Sequence, residues 1–167
     1  MGIVELIKKY QDGEIEKHGF VRDAYEYHRI IEDYQALLES AGIERIVIDK
    51  ENIVFEFSNN VKIYHSLADM YGIPLQFLNF GGYEKEELAV MRNLIEEGDV
   101  IFDIGAHVGW YGINLNRYYK NINLHSFEPM PANFRNLVNN FRLNGLDTSR
   151  AYNIGLFNEN KTVEFYF

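Results

Sequence analysis

Hydrophobic positions near the start of the chain fall at helical spacing. They predict a short helix over residues 3–10, broken at Asp12-Gly13, and a longer one between about 22 and 41. In the longer one Tyr27, Ile30, Ile31, Tyr34, Leu37 and Leu38 share a face, and Ala41-Gly42 supplies its stop. This tyrosine-rich stripe is expected to pack on the rest of the chain, with a partner surface as the alternative. From Ile43 the period falls to two. Ile46-Val-Ile48, then Ile53, Phe55 and Phe57, then Val61 and Ile63 predict a small antiparallel meander turned at Lys50-Glu51-Asn52 and Asn59-Asn60. Its residues form no chemical constellation, so a structural role is expected, and His65 reads as a hydrogen-bonded residue at a strand end. Pro74 through Gly81-Gly82 reads as a connection. It sets a boundary near residue 80, between an N-terminal α+β appendage (1–80) and a second unit (81–167).

The second unit opens with a helix from about Glu84. Glu84, Glu86 and Glu87 suit the positive end of its dipole, Leu88, Met91, Leu94 and Ile95 give it an apolar face, and Gly98 ends it. Val100-Ile-Phe102 is a short apolar run of the kind found in strands covered on both faces. Asp103 ends that strand. Gly105 and Gly109, with three residues between them, allow a sharp turn, and Gly105 is expected at positive φ or with a bare backbone face toward a ligand. A helix opens there, so its N–H groups and dipole would favour polar or anionic ligand groups over the turn. Leu124-His-Ser-Phe127 is the next strand. Glu128 follows Gly109 by nineteen residues, a distance at which a strand–helix–strand unit returns to the same carboxyl edge. A carboxylate there can accept both hydroxyls of a ribose. Pro129 and Pro131 prepare a helix with Phe134, Leu137, Val138 and Phe141 on one face, capped by Asn144-Gly145. Residues 152–157 then read as a third strand, 158–161 as a turn and 162–167 as a fourth extended piece.

A dinucleotide turn would read G-x-G-x-x-G, whereas this one is Asp103-x-Gly105-x-x-x-Gly109. That spacing resembles motif I of the class I S-adenosylmethionine-dependent methyltransferases. The longer string Asp103-Ile-Gly-Ala-His-Val-Gly-Trp-Tyr111, with Phe127-Glu-Pro129 and Asn153-Ile-Gly-Leu-Phe157, resembles the FkbM family over roughly residues 80–167. The resemblance implies an α/β, Rossmann-like fold, S-adenosylmethionine as cofactor, and O-methylation of a sugar or other small hydroxyl compound. It implies a cofactor set of Tyr83, Glu84, Asp103, Gly105, Ala106, His107, Gly109 and Glu128, with Glu128 on the ribose. For the pair Tyr83-Glu84 an ordinary dipole-matched helix start is the other reading. The family usually has Asn where His107 stands. His107 is the one titratable side chain inside the turn, and so either a candidate base on an acceptor hydroxyl or a turn residue bonded to the neighbouring loop; no other catalytic residue is marked. The family continues with a Lys-x-Asp-x-Glu-Gly strand that nothing in 129–167 matches. The catalytic domain is therefore expected to be truncated, with weak cofactor binding, no catalysis, and homo-oligomerisation through uncovered strand edges. A minimal protein whose dimer completes the sheet is the alternative.

Composition narrows the partners. With 167 residues and 47% hydrophobic content, the chain suits one domain with an appendage. The formal net charge of −9 and the lack of a dense Lys/Arg run argue against a nucleic-acid partner. The start carries no long apolar segment and no signal-peptide pattern, so a soluble, cytoplasmic protein without membrane partners is expected. The absence of cysteine excludes disulfides and thiolate metal sites, and the five histidines are scattered, so no metal site is expected. Two rival functions remain. A nicotinamide-dependent oxidoreductase would also use an acid at the second strand's end, but the glycine spacing counts against it. A non-catalytic interaction protein with a degenerate nucleotide-binding fold would account for the aromatic N-terminal helix.

Overall fold

The computed structural model describes residues 1–66, 69–162 and 164. It is a mixed α/β structure with two three-stranded sheets. Helix α1 (Ile3–Gln11) ends where Gly13 turns into the left-handed region, and it packs on α2 (Lys17–His28) through the stacked rings of Tyr10 and Phe20 and the buried Leu6. The single long helix expected here is two. α3 (Ile30–Ala41) follows α2 after Arg29, whose backbone stays right-handed while its carbonyl takes a tightened bond from the Glu32 N–H. The aromatic stripe does not bury as expected. Tyr27, Ile30, Ile31, Tyr34 and Leu37 are exposed, and α3 meets the core through Leu38 and Ala41 near its end.

The meander is as the alternation predicts: β1 (Ile43–Ile48), β2 (Ile53–Phe57) and β3 (Lys62–Tyr64) pair antiparallel in sequence order. After it comes a correction. The stretch expected as a connection holds α4 (Ile73–Phe80), with Pro74 in its first turn and Gly81 at φ +72 after its last. Proline and glycine punctuate here by starting and stopping a helix rather than by forming a linker. Helix α5 (Lys85–Leu94) buries Leu88 and ends four residues before Gly98, with Leu94 exposed.

The second sheet is parallel, in the order β4 (Val100–Ile104), β5 (Asn123–Phe127), β6 (Ala151–Tyr152), with α6 (Trp110–Tyr118) and α7 (Pro131–Leu143) in the connections. β6 is two residues long, shorter than expected. Of the expected fourth piece, residues 163 and 165–167 lie outside the described residues, and Thr162 and Glu164 are not in a strand. One face of the sheet turns Leu124 toward Ile113, Leu137 and Phe141. The other face is open: Val100, Phe102 and Ile104 are 63%, 60% and 63% exposed, so β4 is not covered on both faces. An apolar run states what a strand can bury and not what lies over it.

The meander and the parallel sheet share one hydrophobic cluster, from Ile43, Phe55, Val61 and Phe77 through Leu88 and Trp110 to Leu137 and Phe141. Side-chain amides on α7 complete the seam. Asn144 accepts from the Lys62 N–H and donates to its carbonyl, and Asn140 accepts from the Tyr64 N–H, so two asparagines stand in for a further strand along the edge of β3. Among the described residues no helix is long and apolar enough to cross a membrane.

Candidate functional site

The candidate residues gather at the carboxyl edge of the parallel sheet. Gly105 leaves β4 at φ +80, His107 follows at φ 51 and Gly109 at φ +87, so the backbone enters the left-handed region three times within five residues. The Phe127 carbonyl, at the end of β5, accepts from the N–H groups of both Gly105 (2.8 Å) and Ala106 (3.0 Å), and the His107 N–H donates to Glu128 Oε2 at 2.8 Å. Those three donors are therefore spent inside the protein. Those three are not on offer to a ligand, and the N–H groups expected to face one are those at the start of α6.

The two glycines do different work. A Cβ on Gly109 would lie 2.7 Å from Phe141 Cε1, so this glycine lets α7 close on the turn. A Cβ on Gly105 would meet nothing within 4 Å. That is the bare backbone face a ligand could approach.

Glu128 is only 4% exposed. Its Oε2 holds the His107 N–H and its Oε1 the Met130 N–H, both at 2.8 Å, which clasps the glycine turn to the start of α7. The residue expected to hold a ribose is thus first a structural clasp, and two of its roughly four acceptor positions remain for a ligand. Asn153, from the weakest of the three motifs, supports it by donating to the carbonyls of Glu128 and Pro129. Asp103 sits beside it on the inner face, level with Ser126. Burial, and then the charge of Glu128, push the Asp103 carboxyl up to about 6, and its Oδ2 is buried without a hydrogen-bond partner, as is Ser126 Oγ.

Tyr83 and Glu84 reach this group through α6. Tyr83 packs edge-on against Trp110 at 6.1 Å, and Glu84, left-handed at φ 45 just before α5, accepts from the hydroxyl of Tyr111. Burial first, then Glu84, raise the Tyr83 hydroxyl to about 12, and burial also raises that of Tyr111. Both phenols therefore stay neutral donors at ordinary pH. The backbone of His107, rather than its ring, makes the bond to the neighbouring loop.

Sequence reasoning assigned no role to Tyr111, although it lies in the motif string. It also missed Asn140, whose amide donates to the Val108 carbonyl and so ties the turn to β3. No local pattern marks either partner. Scans against protein-family models and curated protein sequences match nothing.

Proposed function

We propose that the carboxyl edge of β4 and β5 binds S-adenosylmethionine, and that the chain serves a Rossmann-like methyltransferase acting on a hydroxyl of a sugar or another small molecule. A cytoplasmic location goes with this reading. The observation that carries it is Gly105: a positive φ, open space where a Cβ would stand, and the ends of two parallel strands carrying Asp103 and Glu128 beside it. The residues fit a cationic nucleoside better than a phosphorylated one. The turn has spent its N–H groups at Gly105, Ala106 and His107, while Asp103, Glu128 and Glu84 supply acceptors and negative charge. Asp103 Oδ2, buried and unpartnered, is an acceptor left over for such a ligand.

The cofactor, when bound, supplies an electrophilic methyl group on a sulfonium. The chain supplies position. Gly105 would admit the ligand to the backbone, Glu128 would offer its spare acceptor positions to a ribose, and Tyr83 and Glu84, just before α5, touch Trp110 and Tyr111 of α6. His107 is the one titratable side chain in the turn and remains the candidate acceptor of the hydroxyl proton. The nicotinamide reading is disfavoured by the glycine spacing, which is not G-x-G-x-x-G.

Thermal unfolding with each ligand added separately tests the choice. S-adenosylhomocysteine should raise Tm and a nicotinamide dinucleotide should not. Glu128→Gln, which keeps the shape and one of the two backbone bonds, should weaken S-adenosylhomocysteine binding by about 2 kcal/mol. Stabilisation by the dinucleotide alone would overturn the assignment.

A further inference from the structure

Away from the glycine turn, a cleft of about 530 Å³ opens between the end of α3, the β2–β3 turn, α4, α5 and α6. Its wall is aromatic, with Phe57, Phe77 and Trp110 in mutual contact at centroid distances of 4.4 to 5.6 Å. Its charge runs against that of the molecule. The chain carries −9 overall, yet among the described residues the cleft is lined by Lys85 and Arg92 with Glu39 as its only acid. Neither cation pairs with a carboxylate among the described residues. Lys85 donates to the Gly81 carbonyl, and Arg92 lays its guanidinium over the Tyr118 ring at 4.9 Å. Arg92 Nε and Trp110 Nε1 are buried donors without an acceptor, in two residues that line the cleft. Unpaired buried donors are costly, and both call for an acceptor.

We infer that this cleft binds a small organic anion with an apolar body. Its charged group is held by Arg92 and Lys85 and its body lies against the aromatic wall. An anion is favoured over a neutral molecule because both cations lack a carboxylate and both orphaned groups can only donate. An apolar body is favoured because Phe57, Phe77, Leu88 and Trp110 supply the cleft's lining opposite its charged groups. Of the cofactor set only Tyr83 lines the cleft, so the inference stands apart from the methyl-transfer reading.

Trp110 is the chain's single tryptophan, so its fluorescence reports on this cleft without labelling. The chain is titrated with cyclohexanecarboxylate and, in parallel, with the uncharged cyclohexanecarboxamide; neither compound absorbs where indole does. The carboxylate should give a saturable change that weakens with added salt, and the amide should bind about tenfold more weakly or worse. Arg92→Gln should weaken the carboxylate by about tenfold or more and bring the two compounds close together, while Arg92→Lys should keep part of the preference. If Arg92→Gln does not fold by circular dichroism, Lys85→Gln carries the same test at the second cation. No saturable change with the carboxylate, equal binding of carboxylate and amide, or unchanged binding in the glutamine variants would overturn the inference. S-adenosylhomocysteine titrated into the same preparation is scored separately, since its failure to bind defeats the cofactor reading and leaves this one standing.

Discussion

Gly105 and Gly109 share a left-handed backbone but not their surroundings, and this separates their variants. Gly105→Ala should cost about 1–2 kcal/mol of stability through backbone strain alone. Gly109→Ala should cost clearly more, because its Cβ would add a 2.7 Å approach to the ring of Phe141, which is pinned in the core. Urea denaturation of the two variants measures the difference, and equal losses would contradict it. Asp103 makes a prediction with a sign. Its carboxyl is raised from 3.8 to about 6 in the folded chain, chiefly by burial. The folded state therefore holds the proton that the unfolded state has released, and stability falls as pH rises from about 4 to about 6. Asp103→Asn should remove this penalty. The variant should be more stable than the unmutated chain at pH 7 by no more than about 3 kcal/mol, with the advantage fading below about pH 4. Denaturation midpoints across that range test it, and a constant difference at every pH would contradict it.

Among the elements, the docking of β3 on α7 is the feature most exposed to test. Asn140 is 1% exposed and bridges the Tyr64 N–H and the Val108 carbonyl. Asn140→Ala leaves both unpaired and should cost on the order of 2–4 kcal/mol by urea denaturation, with secondary structure retained. A loss within 0.5 kcal/mol, as for an ordinary surface change, would contradict that role. This bridge also marks where reading the sequence runs out. The meander, the glycine turn, the two parallel strands beside it and α7 were legible because each rests on a local period or spacing. Asn140 and Asn144 were not, since an amide on a helix serves as a strand edge only when tertiary packing brings one beside it. Pro74 and Gly81 were legible as punctuation but not as the two ends of α4, because the same residues begin and end helices and linkers alike. Of the candidate site, the grouping of the residues was legible and their bonding was not. Asp103, Gly105, Ala106, His107, Gly109 and Glu128 do lie together, yet spacing could not foretell that Glu128 spends both oxygens on backbone N–H groups or that Phe127 consumes the turn's donors.

Across the whole molecule, surface and charge are unevenly shared. Asp103 and Glu128 meet at the carboxyl edge of the parallel sheet, while Lys85 and Arg92 line the cleft. The outer face of that sheet leaves Val100, Phe102 and Ile104 exposed, with β4 at its edge. A chain with this face uncovered should self-associate as concentration rises, and Phe102→Lys should suppress the association. Sedimentation velocity reads both, and a monomer at every concentration would contradict the expectation. The central claim is that the open face of Gly105 admits S-adenosylmethionine. Its most direct test is calorimetric titration of S-adenosylhomocysteine into the unmutated chain and into Gly105→Val, with circular dichroism on the same samples. The account predicts weak but saturable binding to the unmutated chain and none to a Gly105→Val chain that keeps its secondary structure. Absence of binding to the unmutated chain, or equal binding to both, would contradict it.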